Sequence, residues 1–264
     1  MKKLAFIGCG NMGGAIARAV CAAVEPTEVF LANRSAGKAA ALAAELGCNT
    51  SENNLRCAEG ADFVFLGVKP HQICDVIAEI EPALTGSEVI VSMAAGVSGD
   101  TMAAVLPKGN PIIRILPNTP CAVGKGLVLL VPCRGADDTK LEELKTLLAP
   151  CGMVGLCDEE HAEAAMTVGG CTPAFTYMFI EALADGGVKS GLKRADALAW
   201  AAQAVAGAAE LLKASGEHPG ALKDAVCSPG GATIEGVRTL ESRAFRGAVM
   251  DAVYAAAERS AQLG

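Results

Sequence analysis

The stretch FIGCGNMGGAIA, residues 6–17, decides how the N-terminal half is read. It sets Gly8, Gly10 and Gly13 at G-x-G-x-x-G spacing, directly after the apolar run Leu4–Gly8 and directly before a helix-forming segment from about Met12. Strand, glycine turn and helix in that order suit a dinucleotide phosphate. Gly8 allows the tight turn, Gly10 lets the backbone approach the pyrophosphate, and Gly13 lets the helix pack close to the sheet. Backbone amides and the positive end of the helix then meet the phosphate charge, which makes Gly8, Cys9, Gly10, Asn11, Met12 and Gly13 the candidate binding positions. A secretion signal is the competing reading, because Lys2 and Lys3 precede the apolar run. Asn11 and Arg18 interrupt that run and argue against it.

Working outward, short apolar or β-branched runs recur at Leu4–Gly8, Glu28–Asn33, Asp62–Lys69, Glu88–Met93, Pro111–Leu116, Gly126–Val131 and Met153–Leu156, with helical stretches between them. This alternation predicts an α/β Rossmann-like domain over residues 1–158 with a mostly parallel sheet. From residue 159 to 264 no strand pattern survives, and an all-α domain is expected, with Ala-rich helices at 161–191 and 195–214. Both helices are apolar on more than one face, as in helices buried against a partner chain.

The whole chain narrows the function classes. A net charge of −7 and the absence of any Lys/Arg cluster longer than two argue against nucleic acid. No uncharged apolar stretch is long enough for a membrane span. Eleven scattered cysteines without a C-x-x-C pair, beside three histidines, fit reduced thiols in the cytoplasm better than a disulfide framework or a metal site.

In an open α/β sheet the ligand lies beyond the carboxyl ends of the strands. There the sequence places Asn33, Arg34 and Ser35 at the second strand tip. With no carboxylate to bond a ribose 2′-OH, and with Arg34 able to pair with a 2′-phosphate, NADPH is favoured and NADH remains possible. Further tips are VKPHQ (68–72) with Val68, Lys69 and Pro70, SMAAGV (92–97) with Ala94, Ala95 and Gly96, and LPNTP (116–120) with Asn118 and Thr119. The small residues suit a flat ring lying against backbone, and Asn118 and Thr119 offer polar contacts.

The other informative segment is HPGALKDAVCSPGGATIEGVRTLE, residues 218–241, where Pro229-Gly230-Gly231 precedes a helix. A second anion site in a domain without a sheet suits a substrate carboxylate. With FIGCGNMGGAIA, VKPHQ, SMAAGV, ILPNTP and FIEALADGGVKSGL in the same order, the sequence resembles pyrroline-5-carboxylate reductases from residue 4 to about 255. The resemblance implies NAD(P)H-dependent hydride transfer to C5 of the cyclic imino acid 1-pyrroline-5-carboxylate, giving L-proline. It also implies Thr233 as the catalytic hydroxyl beside the ring nitrogen, Ser228, Gly230, Gly231, Ala232 and Thr233 around the carboxylate, and Asn53 on the adenosine side of the cofactor. The family's helical half forms an interlocked dimer, so a homodimer or a decamer of dimers is expected, with Thr233 able to come from the neighbouring subunit.

Two departures stand out. Gly169 and Thr172 replace a small hydroxyl residue and a glycine at a helix break, and Ala244 stands where a glycine usually precedes Phe245. Competing readings are a related NADP reductase of a β-hydroxy acid or another cyclic imine, and a regulator that binds the dinucleotide without turnover. His71, His161 and His218 are expected in loop or cap roles.

Overall fold

Strand β1 (Leu4–Ile7) sends Leu4 and Phe6 into one apolar cluster and Ala5 and Ile7 into another, and all four are buried. A strand buried on both faces belongs inside a parallel sheet. The computed structural model, which describes residues 2–262, puts it there. The other strands are β2 (Val29–Ala32), β3 (Asn49–Thr50), β4 (Phe63–Leu66), β5 (Val89–Ser92), β6 (Ile112–Pro117), β7 (Gly126–Pro132) and β8 (Gly152–Leu156). They form one sheet in the order β3-β2-β1-β4-β5-β6-β7-β8, parallel throughout except for the antiparallel β6–β7 pair. The expected strands are all present with slightly shifted ends, and β3 is an addition.

Helices cover both faces. Residues of α1 (Asn11–Cys21), α2 (Ala36–Leu46) and α6 (Asp138–Leu148) join the cluster of Leu4 and Phe6. Residues of α3 (Asn54–Ala58), α4 (Ile73–Ile80) and α5 (Gly99–Ala103) join that of Ala5 and Ile7. The chain runs outward from β1 to β2 and β3, then crosses back to β4. The β1–β4 boundary is therefore the switch point, where a ligand crevice opens at the carboxyl ends.

The helical stretch expected over 161–191 is interrupted close to the break expected at Gly169 and Thr172. It divides into α7 (Ala162–Met166), a π-helical turn (Thr167–Cys171) and α8 (Thr172–Lys189), followed by α9 (Arg194–Ser215), α10 (Pro219–Ala225), α11 (Ala232–Ser242) and α12 (Phe245–Ala261). Two compact units result, one of residues 2–171 with 256–262, the other of residues 172–255. In the first, Ser260 of α12 hydrogen-bonds Glu163 of α7, which also pairs with the buried Arg114 of β6. In the second, Ala184 and Ala197 are the only buried residues among those described, while Met178 and Met250 are each 70% exposed and Trp200 59%. A set of helices this apolar and this open has no core of its own.

Ala244, between α11 and α12, has φ +55. That left-handed conformation explains why glycine suits the position.

Candidate functional site

Three glycines set the geometry of the first site. Gly8 leaves β1 at φ +96, and a Cβ there would stand 2.7 Å from the Gly67 carbonyl carbon. A Cβ on Gly13 would stand 2.1 Å from the Gly8 carbonyl oxygen, and one on Gly67 2.4 Å from the same atom. The β1–α1 turn, the first turn of α1 and the end of β4 are thus packed backbone to backbone. Gly10 is different: a Cβ there would meet nothing within 4 Å, because the position faces open space. It caps α1 without a side-chain hydrogen bond, and no acidic residue lies in the helix's first turn. Amides and helix dipole are left facing the cleft, as an anion needs.

That cleft has a volume of about 1130 Å³ and runs across the carboxyl ends of β1, β2, β4 and β5. Of the positions expected from sequence, Gly8, Gly10, Asn11, Met12, Asn33, Arg34, Ser35, Asn53, Val68, Lys69, Pro70, Ala94 and Ala95 line it. Cys9, Gly13, Gly96, Asn118 and Thr119 do not. Cys9 turns inward, where burial pushes its thiol up to about 12 and its Sγ lies 3.7 Å from the Ala32 carbonyl. Gly13 serves the packing just described. Gly96 is a turn residue at φ +73, and Thr119 opens a short 3-10 turn. Asn118 spends its amide on its own chain.

Asn33 holds the rim together. Its Oδ1 accepts the Cys9 N–H at 3.0 Å and its Nδ2 donates to the Ser35 carbonyl at 3.1 Å, joining the turn after β1 to the turn after β2. Beyond it, Arg34 and Lys38 line the cleft, and neither side chain has an ion-pair partner among the described residues. Nearby Arg18, by contrast, is held by Glu45 through two bonds of 2.7 and 2.8 Å. Asn53 caps α3, its Oδ1 accepting the Arg56 N–H at 2.8 Å. The sequence reading missed Gly67 and Lys38. A glycine ending a strand run signals Gly67 weakly, and Lys38 reads as an ordinary helix-surface lysine.

The second site lies in the helical unit. Gly230 adopts φ +68, the Gly231 N–H donates to the Ser228 carbonyl at 3.0 Å, and a Cβ on Gly231 would stand 2.4 Å from Ser228 Oγ. Gly231 then caps α11 without a side-chain bond. Ser228, Gly230 and the first-turn residues Ala232 and Thr233 are exposed around free helix amides. The site offers hydroxyls and N–H donors, and its segment 228–233 contains no charged side chain. Two of the three histidines have local structural partners: His218 Nδ1 accepts the Gly220 N–H at the start of α10, and His161 pairs with Asp158 at 2.6 Å, while His71 lies in the short 3-10 turn Pro70–Gln72. Among the described residues no cluster of three or more His, Cys, Asp or Glu could hold a metal.

Matches to known protein families cover the segments that carry both candidate sites. Residues 159–263 match the family model described as pyrroline-5-carboxylate reductase dimerisation, and residues 3–96 match NADP oxidoreductase coenzyme F420-dependent. The chain is 41% identical over 264 residues to the pyrroline-5-carboxylate reductase of Escherichia coli (strain K12), covering 99% of this chain and 98% of the relative. It belongs to the pyrroline-5-carboxylate reductase family. Pyrroline-5-carboxylate reductase 3 of Danio rerio is also 41% identical, over 99% of this chain and 91% of the relative. Among solved structures, the pyrroline-5-carboxylate reductase of Coxiella burnetii superposes with a TM-score of 0.93 at 30% identity, over 100% of this chain and 98% of the other. The Plasmodium falciparum pyrroline carboxylate reductase with NADP bound gives 0.87 at 30% identity, over 100% and 98%.

Proposed function

We propose that this chain reduces 1-pyrroline-5-carboxylate to L-proline with NADPH, or less effectively NADH. The observation that carries the reading is the 41% identity over 99% of the chain to a reductase of that name, joined to two glycine turns that each open a helix with its first amides uncapped by a side chain. The cleft fits the cofactor because Gly10 lacks the Cβ that would fill it and because Arg34, Ser35 and Lys38 stand where a 2′-phosphate needs donors. When bound, NADPH supplies the hydride that adds to C5 of the imine.

The chain's own residues bind and orient. Gly8, Gly10, Asn11 and Met12 hold the phosphates, Asn53, Lys69 and Pro70 flank the adenosine side and the cleft wall, and Ala94 and Ala95 face the flat ring. Ser228 and the amides from Gly230 to Thr233 hold the substrate carboxylate. The Thr233 hydroxyl oxygen accepts the N–H of the protonated ring nitrogen and holds the iminium with C5 electrophilic, so that hydride addition there leaves the neutral ring amine without a strong acid. Orientation of two bound molecules supplies on the order of 7–11 kcal/mol of barrier reduction when ideal.

Residues 1–158 serve the cofactor and 159–264 the substrate and the dimer. The openness of residues 172–255 supports a homo-oligomer built on those helices. A light-scattering mass separates a dimer from a decamer of dimers. Eleven free thiols support a cytoplasmic setting. The test of the chemistry is Thr233→Ala: kcat/KM for the imine falls by about 10–100-fold, the cost of a hydrogen bond to a charged group, while NADPH affinity holds. Full activity in that variant rules out the hydroxyl's role.

A further inference from the structure

Asn118 stands at the end of β6, next to the strand that leads to Ala94 and Ala95. Its carboxamide is committed at both ends: Oδ1 accepts the Leu127 N–H at 2.9 Å, and Nδ2 donates to the Gly169 carbonyl at 3.0 Å. Its backbone is tied too, the N–H donating to the Leu127 carbonyl at 3.1 Å and the C=O accepting the Cys121 N–H at 3.1 Å. One residue therefore joins the end of β6, the start of β7 and the π-helical turn Thr167–Cys171. Such turns occur mostly as single turns inside α-helices, and frequently at functional sites. Gly169 lets this one come close, since a Cβ there would stand 2.9 Å from Leu127 Cδ2. A planar amide with an acceptor at one end and a donor at the other is what the two partners require. Aspartate supplies only acceptors when charged, and leucine supplies neither.

We propose that Asn118 is a positioning residue for the reduction: its amide clamps the β6–β7 return to the π-helical turn and so fixes the Thr119–Pro120 backbone beside the Ala94–Ala95 end of the cleft, without itself binding the dinucleotide. The inference rests on the reductase reading, and imine turnover by the unaltered protein checks that reading first. Displacement of about 1 Å at a site of hydride transfer costs on the order of 100-fold in rate. Binding energy for the dinucleotide comes from the phosphate and ribose positions at β1, β2 and β4, which the clamp does not touch.

The test uses two variants of the full chain. Asn118→Ala lowers kcat by about 10–100-fold and leaves the NADPH Kd, read by fluorescence titration, within about threefold. Asn118→Asp keeps the acceptor for Leu127 but sets a carboxylate against the Gly169 carbonyl, and protonation restores the missing donor. Its kcat, as a ratio to the Asn118 form, therefore rises several-fold from pH 8 to pH 6. Both forms carry Cys121→Ser in that arm, because the Cys121 Sγ lies 3.9 Å from Asn118 Oδ1 and the neighbouring Cys151 thiol pulls its titration below the ordinary thiol range. An unchanged kcat in Asn118→Ala, an NADPH Kd that weakens as much as kcat falls, or a flat pH ratio overturns the proposal. If Asn118→Ala does not fold, the pH ratio alone decides.

Discussion

Replacing Gly13 and Gly10 by alanine, one at a time, separates packing from binding within a single motif. A Cβ on Gly13 would stand 2.1 Å from the Gly8 carbonyl oxygen, well inside the roughly 3.5 Å of van der Waals contact, so the turn or α1 must move by about 1 Å. The neighbour is backbone and cannot rotate away. The cost is at the upper end of overpacking, about 3 kcal/mol, and at about 2–4 °C per kcal/mol for a chain of this size the Tm falls by about 6–12 °C. Gly10 has open space at the same distance and φ −72, which alanine adopts freely. Its cap loss and its reduced unfolded-state entropy oppose each other at under about 1 kcal/mol each, so the Tm stays within about 3 °C. The added methyl instead occupies the approach a phosphate needs, and the NADPH Kd rises at least about tenfold, or 1.4 kcal/mol. Thermal unfolding and NADPH fluorescence titration on the two variants give the four numbers. Wild-type NADPH affinity in Gly10→Ala, or wild-type stability in Gly13→Ala, would refute the reasoning.

Other expectations concern separate parts of the molecule. Arg34→Glu raises the NADPH Kd by about 10–100-fold and leaves that for NADH within about twofold; equal weakening of both cofactors argues against a 2′-phosphate contact. Ala244→Gly relieves a left-handed alanine worth about 1–2 kcal/mol, less about 0.4–1 of unfolded-state entropy, and so raises the Tm by up to about 6 °C, with kcat unchanged. Burial works against the charge of Glu88, but hydrogen bonds from its own backbone, Thr85 and Gly86 outweigh it and hold the carboxyl below its ordinary range. The stability it contributes is present above about pH 4.3 and is lost as pH falls through the lowered folded value. Glu88→Gln therefore costs about 1–3 kcal/mol at pH 7, and its Tm converges on that of wild type toward acid.

The turn after β1 was legible because each of its glycines meets a local need, and strand, turn and helix follow one another in the chain. Gly67 was not, since its reason lies in Gly8 and Gly13, more than fifty residues earlier, and a single glycine after FVFL carries no period. β3 is two polar residues long and shows no alternation to read. The tips after β2, β4 and β5 were legible from strand order alone, and most of their residues do line the cleft. Asn118 sits at such a tip yet bonds Gly169, a partner that only the tertiary fold supplies. The same pairing marks the π-helical turn at Thr167–Cys171, where the sequence shows a helix break at Gly169 and Thr172 but not the form the break takes. The exposed turn at Ser228–Thr233 was legible in the types of its residues: hydroxyls and glycines before a helix, with no charged side chain among them.

The most direct measurement follows NADPH absorbance after addition of 1-pyrroline-5-carboxylate, with L-proline quantified in the same reaction. The account predicts NADPH oxidation matched mole for mole by L-proline, with little turnover of a six-membered cyclic imine and none of β-hydroxy acids in the reverse direction. NADPH that binds but is not oxidised on adding the imine would contradict it.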